Sequence, residues 1–336
     1  MKKIAVQSLL LSIFIFSCSE SDNASKTTIE WLYSDEGKSV GAIFKTKWVS
    51  DQTLYLMDMR LPKEDRSILK LDPESPEKMN PLFDKQRLVD NLMSILNRDD
   101  TTMYLDWPIS FNSDGSYGLY LYEDDIFVLD ITAAEFLRIT NTDSKEKSVR
   151  FSPDGKKIAF IRDNDLFTYS LNKKQEKRLT YNGSETLLNG TLSWVYWEEI
   201  FGRQDIGYWW SDDSKALAFL QTDESSVTKM HYVHWKPAEP KLITQRYPKA
   251  GTENPKVRLG VIELNNPKVK WIKLEPFEYL CRVKWLPGNR RLSIQTMNRA
   301  QDKLDLYFVD RATGKNIEKI ITETDDGWVN INDDLY

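Results

Sequence analysis

The sequence has little of what most metal-dependent and nucleophilic chemistry needs. Its 336 residues include only two histidines and two cysteines. His231 and His234 flank Tyr232-Val233 in an aromatic stretch and read as strand residues, since a zinc site needs a full ligand set. No metal and no cofactor is expected. The two thiols, Cys18 and Cys281, offer no disulfide framework once Cys18 is committed elsewhere, so the chain must fold on its core alone. Charge is not blocked by sign: 46 Lys and Arg against 51 Asp and Glu leave a net charge of −5. Scattered basic residues argue against a nucleic-acid partner. No long apolar run follows the first residues, so the body reads as soluble. Aromatic residues are plentiful: 11 Trp, 15 Tyr and 14 Phe can furnish a large core.

The first residues point to export. Met1-Lys2-Lys3 is a short basic start, and Ile4 to Phe16 is apolar but too short to span a bilayer comfortably, which is the pattern of a secretory signal. The run ends in Ile15-Phe16-Ser17-Cys18, which resembles a bacterial lipobox, in which the cysteine is lipidated and becomes the new N-terminus. The expectation is a signal peptide over 1–17, lipidation at Cys18, a polar tether over 18–30 and one domain over 31–336. The chain would then sit in the bacterial cell envelope, touching membrane only through its lipid.

Repeats set the fold class. Phe111-Asn112-Ser113-Asp114-Gly115, Phe151-Ser152-Pro153-Asp154-Gly155, Trp210-Ser211-Asp212-Asp213-Ser214 and Trp285-Leu286-Pro287-Gly288-Asn289 each precede a short apolar run. Each unit reads as strand, tight turn, strand, with Pro, Asp and Gly supplying the turn dihedrals. Strands entered from an acidic turn trail three of them: Asp125 to Asp130, Asp165 to Tyr169 and Asp305 to Asp310. Phe111 and Phe151 lie forty residues apart, the length of a four-stranded propeller blade. The later intervals are longer, which places insertions between Asn172 and Trp209 and between Asp223 and Cys281. The fold expected is all-β: a partial β-propeller of about four blades of four-stranded antiparallel sheet, an arc rather than a ring, with no α/β-hydrolase domain. Lys85 to Arg98 reads as a helix, with Leu88, Leu92 and Ile95 at helical spacing and Asp84 as its cap.

Most paired acids here read as solvated turns. Glu198-Glu199 differs because Trp194, Tyr196, Trp197 and Phe201 crowd it, so its carboxylates sit in a partly apolar setting. On a helical turn neighbouring side chains are about 100° apart and can converge on one ligand; without a metal they suit a cation such as a peptide ammonium. The alternative is a pair of solvent-facing acids at a helix start. A G-x-S-x-G match, Gly37 to Gly41 around Ser39, reads as a chance pattern in a turn, because a nucleophile elbow needs a buried strand before it and a helix after it.

Three ordered segments carry a resemblance. Trp194-Val195-Tyr196 with Glu198-Glu199, Phe201-Gly202-Arg203 and Tyr208-Trp209-Trp210-Ser211 resembles the double-glutamate region of the dipeptidyl peptidase IV family. Tyr247-Pro248-Lys249-Ala250-Gly251-Thr252-Glu253-Asn254-Pro255 resembles the family's stretch after the same blade. Tyr279 to Trp285, running on to Asn298-Arg299-Ala300-Gln301, is similar to the next blade. The resemblance implies the N-terminal propeller of a serine exopeptidase that releases dipeptides with Pro or Ala second. It implies that Glu198 and Glu199 bind the peptide N-terminus, with Trp194, Tyr196, Trp197 and Phe201 around them, and that the protein forms a homodimer. The family's substrate-holding arginine has no counterpart in the short acidic hairpin Tyr120 to Ile126. The family's Ser, Asp and His belong to a later hydrolase domain, so this chain is expected to be inactive alone. The other reading is a non-enzymatic envelope propeller that binds a peptide or protein partner.

Overall fold

The computed structural model describes residues 27–99, 103–315 and 317–333. The expected signal peptide, Cys18 and most of the tether lie outside the described residues. A short helix, Ile29–Tyr33, capped by the Thr28 hydroxyl, opens inside the span expected as tether, and a second, Asp35–Gly41, follows.

Among the described residues the strands form five antiparallel sheets and one separate hairpin. Sheet I comprises Phe44–Ser50, Thr53–Asp58, Leu69–Leu71 and Asn80–Pro81. Sheet II comprises Ser110–Phe111, Tyr117–Tyr122, Asp125–Asp130 and Glu135–Arg138. Sheet III comprises Lys147–Phe151, Lys157–Arg162, Asp165–Ser170 and Gln175–Arg178. In sheet IV, Leu187–Asn189 and Tyr208–Trp210 share the first position beside Ala216–Asp223, followed by Lys256–Glu263 and Asn266–Trp271. Sheet V is Tyr279–Trp285, Arg291–Met297, Lys303–Asp310 and Glu318–Thr324. The four repeat turns head sheets II to V. Sheet I precedes them without such a turn, so the expected four blades become five.

Local chemistry explains the sheets. Glu123-Asp124 and Asp163-Asn164 both take positive φ at both positions, the left-handed pair that a two-residue hairpin needs to match strand twist. The acid that opens the third strand is a buried clasp. Asp125 accepts from Arg138 on the fourth strand at 2.5 Å, and Asp165 accepts from Arg178 at 2.5 Å and from the Thr180 hydroxyl at 2.6 Å. In sheet V, Asp305 repeats the device with Lys319 at 3.4 Å and Thr322 at 2.5 Å. Each clasp ties the outermost strand to its neighbour through charge-assisted bonds.

The sheets stack in chain order, each interface filled by apolar side chains. Tyr55, Met57 and Ile68 of the first unit pack with Tyr120 and Phe127; Leu119 and Val128 pack with Ile158 and Phe160; Ala159 and Ile161 pack with Leu217 and Phe219; Ala218 and Val261 pack with Val283 and Ile294. Among the described residues no core cluster joins sheet V to sheet I. Lys85–Leu96 is the expected helix: Asp84 accepts from the Gln86 and Arg87 amides, and Asn97 ends it at φ 52°. Leu88, Leu92 and Leu96 are buried between sheets I and II, with Ile95 at the margin. The repeat turns also touch one another. The Ser214 hydroxyl accepts from the Asp154 amide at 2.9 Å, and the Asn289 side-chain oxygen accepts from the Asp212 amide at 2.7 Å.

Candidate functional site

The innermost strand of sheet IV is interrupted. Asn189 pairs with Gln221 and Tyr208 with Phe219, so the single residue Leu220 faces both ends of an excursion over 190–207. Gly190 donates to the Leu220 carbonyl at 2.8 Å, Leu220 donates to Gly207 at 2.8 Å, and Gly207 donates to Gly190 at 2.9 Å. The pinch requires glycine: Gly190 has φ +76°, and a Cβ on Gly207 would meet Leu192 at 2.8 Å. Asp205 closes the base, accepting from the Thr191 hydroxyl and the Leu192 amide at 2.8 Å each. This excursion is the first expected insertion. The second is the hairpin Lys229–His234 with Lys241–Arg246, which holds both histidines as strand residues; His231 Nδ1 lies 2.9 Å from the Thr244 hydroxyl.

At the tip of the excursion, Tyr196–Ile200 forms one π-helical turn, closed by the Phe201 amide donating to the Tyr196 carbonyl at 2.8 Å. Such wide turns recur at functional sites. Glu198 and Glu199 therefore sit on a helical turn and not on a strand. Glu198 is half-buried and accepts from Arg203 Nε at 2.9 Å. Glu199 is exposed and lines a cleft of about 330 Å³ with Val195, Ile200, Tyr279, Cys281, Met297, Gln301 and Ile331. The turn brings the two acids to neighbouring positions, but among the described residues only Glu198 engages a protein cation.

The four aromatic residues split in role. Tyr196 is fully buried; its hydroxyl accepts from the Leu280 amide at 3.2 Å, and burial drives its pKa well above the usual phenol value. It is a core anchor joining the turn to sheet V. Phe201 stacks against Tyr196 and leans on Trp209. Trp194 meets Trp197 edge-on at 6.3 Å and Tyr247 at 4.6 Å. Tyr247 thus joins the aromatic wall, although sequence reading marked it only as part of a family-like stretch.

Sheet V supplies what sequence reading missed. Arg282 Nη1 donates to the Ile200 carbonyl at 2.8 Å, its guanidinium lies 5.6 Å from the Phe201 ring centroid, and it forms an ion pair with Asp333. Arg299 donates to Glu278 at 2.8 Å, and Asn254 donates to Glu278 at 2.7 Å and to the Tyr279 hydroxyl at 3.1 Å. The second and third family-like segments are thereby fastened beside the cleft. Cys281 is buried, and burial pushes its thiol up to about 12. The hairpin at 120–126 carries no arginine of its own, but Arg98, beyond the helix Lys85–Leu96, reaches Glu123 at 3.1 Å. Ser39 lies within the short helix Asp35–Gly41 and not in a turn; its hydroxyl donates to the Glu36 carbonyl at 2.7 Å, and the helix buries no residue. Among the described residues no strand precedes it to form an elbow. Among the described residues no group of three or more His, Cys, Asp or Glu side chains is placed to hold a metal.

Comparisons place this architecture. The family profile described as "Dipeptidyl peptidase IV (DPP IV) N-terminal region" matches residues 110–336. The chain is 31% identical over 224 residues to a probable dipeptidyl peptidase 4 of Aspergillus fumigatus, covering 62% of this chain and 29% of that protein. It is 33% identical over 194 residues to dipeptidyl aminopeptidase B of Saccharomyces cerevisiae, covering 55% and 23%. The crystal structure of Porphyromonas gingivalis dipeptidyl peptidase 4 superposes with a TM-score of 0.69 at 24% identity, over 86% of this chain and 40% of that one. A putative dipeptidyl aminopeptidase IV from Bacteroides ovatus gives 0.64 at 19% identity, over 86% and 39%. The chain spans roughly a quarter of the length of the curated relatives it matches, and at these identities the solved structures speak to the fold. With the profile covering the four repeat-headed sheets and the Glu-bearing excursion, the chain belongs to the dipeptidyl peptidase IV family, as its N-terminal propeller region.

Proposed function

We propose that this propeller is the substrate-recognition part of a dipeptidyl peptidase IV-like serine exopeptidase, in which Glu198 and Glu199 bind the N-terminal ammonium of a peptide. Fixing that end sets cleavage after the second residue, with Pro or Ala favoured there as the resemblance implies. The observation that carries the reading is Glu199 on the wall of a cleft of about 330 Å³, with no protein counter-ion among the described residues. Arg282, beside the same turn, is already committed to Asp333 and the Ile200 carbonyl, so the complementary charge is left for a ligand to bring. Hydrogen bonds to a charged group contribute roughly 1.5–3 kcal/mol when desolvated; in an open cleft the value falls toward the ~0–1 kcal/mol of a surface pair.

Lipid attachment at Cys18 and an envelope location belong to this reading. Cys18→Ala should abolish membrane partition, and unchanged partition and processing would defeat that part. A homodimer is proposed from the resemblance, and sedimentation of the purified chain tests it. The exposed hairpin, with Tyr232, Trp235 and Leu242 at its surface, favours a protein partner as the second reading. The central test compares binding of the tripeptide Ala-Pro-Ala with its N-acetyl form by NMR titration. The wild-type chain should prefer the free amine, and the double variant Glu198→Gln, Glu199→Gln should not. Equal preference in both proteins would refute the ammonium site.

A further inference from the structure

Among the described residues the Arg203 side chain has one polar partner, Glu198. The arginine side chain is 78% exposed, and its Nε donates to Glu198 Oε1 at 2.9 Å, while the Glu198 side chain is only 20% exposed. The contact spans five positions of sequence and arises because the backbone doubles back. Gly202 at φ +59° and Arg203 at φ +65° are both left-handed, and the Arg203 amide is held on the Trp197 carbonyl at 2.7 Å. A left-handed conformation is disfavoured for any residue but glycine, so the chain holds the arginine in an uncommon backbone conformation within reach of the acid. The neighbouring charges are otherwise engaged: Arg282 serves Asp333 and Ile200, and Asp205 serves Thr191 and Leu192.

We infer that Arg203 is the resident counter-ion of the ammonium site, neutralising Glu198 in the empty protein and displaced when a peptide N-terminus arrives. This rests on the proposed reading of the Glu pair. The exchange swaps one cation for another on a half-buried carboxylate, so Glu198 is paired both before and after it. The outgoing guanidinium is mostly hydrated already and swings into water. The cost of displacement is that of an exposed ion pair, which corresponds to at most about a five-fold factor in affinity. Arg203 is therefore an affinity-determining residue that opposes ligand binding, and Glu199, with no such partner, is the acid free to make first contact.

The experiment uses the full 336-residue chain, Ala-Pro-Ala and N-acetyl-Ala-Pro-Ala, titrated by NMR against wild type, Arg203→Ala and Glu198→Gln. Arg203→Ala is expected to bind the free-amine peptide two- to five-fold more tightly, with the acetylated peptide unchanged and the melting temperature unaltered. Glu198→Gln is expected to lose most of the free-amine preference, and adding Arg203→Ala to it should restore nothing. If wild type prefers the free amine but Arg203→Ala binds it no more tightly, the counter-ion assignment falls and the ammonium site stands. If no protein distinguishes the two peptides at millimolar concentration, both fall.

Discussion

Replacing Arg282 with Met separates the clamp on the Glu turn from the packing beneath it, because methionine keeps an apolar stem near Phe201. The lost contacts are the Nη1 bond shared between the Ile200 carbonyl at 2.8 Å and the Cys281 carbonyl at 2.7 Å, and the pair with Asp333, whose side chain is 68% exposed. A hydrogen bond from a charged donor contributes roughly 1.5–3 kcal/mol. Ile200 is half-buried, so water recovers part of it, and the exposed pair adds about 0–1 kcal/mol. The sum is about 2 kcal/mol, a thirty-fold change in a local opening equilibrium and a fall of about 3 °C in Tm for a chain of this length. Hydrogen exchange should locate it: the Phe201 and Arg203 amides, bonded to Tyr196 and Trp197, should exchange about thirty times faster, with sheets I to III unchanged. The Arg282 guanidinium holds the Asp333 carboxyl below its ordinary value of 3.8. The pair's contribution is thus complete above about pH 4 and lost as pH falls through the lower folded value, so the gap between wild type and variant should narrow in strong acid by the pair's share, about 0–1 kcal/mol, while the share of the Ile200 bond remains. Unchanged exchange at 201 and 203, or acceleration spread evenly over all five sheets, would refute the clamp.

Asp165→Ala removes a buried carboxylate that serves Arg178, Thr180, Gly183 and Asn189. It should cost about 3–5 kcal/mol by urea unfolding, and a loss under 1 kcal/mol would show that the clasp is dispensable. Glu146 is fully buried beside Arg162, one of its oxygens has no partner, and burial raises its pKa against the opposing pull of that arginine. Its folded form therefore takes up a proton more readily than the unfolded chain, so wild type should gain stability relative to Glu146→Gln as pH falls from 7 toward the ordinary value of 4.5. Glu146→Gln should be at least as stable as wild type at neutral pH, since Arg162 keeps two bonds to Glu176; a variant that is less stable at pH 7 would contradict this. In a Cys18→Ala background, Cys281 should be silent to Ellman's reagent at pH 8 until denaturant is added, because its pKa is pushed up to about 12. Rapid labelling of the native protein would mean that the cleft wall opens.

The sequence made four of the five sheets legible because their Asp/Gly turns and following apolar runs are local signals, as was the Asp84 cap. Sheet I escaped: its hairpin turns at Asp51-Gln52, between Ser50 and Thr53, without proline, glycine or a repeat aromatic. The acids at 125, 165 and 305 were visible as a pattern, but their purpose was not, because each partner stands a strand away. At the site, aromatic crowding singled out Glu198 and Glu199, and the helical turn or loop expected for them is a single π-helical turn. Tyr196, however, belongs to the core beneath the turn, a distinction that depends on which way a ring points. Arg282 and Asp333 were out of reach because they meet the turn only through the stacking of sheet V on sheet IV. The Arg203 contact depends on two successive left-handed residues, which only Gly202 advertises.

The closure at Gly190 and Gly207 has a consequence for how such a protein can change. Because both glycines face one residue of the neighbouring strand, the sheet registers the whole excursion as a single position. The backbone bonds of Gly190, Gly207 and Leu220 close the ladder across it. Lengthening a loop costs little, about 0.6 kcal/mol per doubling, so the part of the excursion between the buried Tyr196 anchor and the Asp205 base is free to vary in size while its footing stays put. A different recognition turn grafted between these two glycines would inherit a finished sheet beneath it and a ready wall from sheet V beside it.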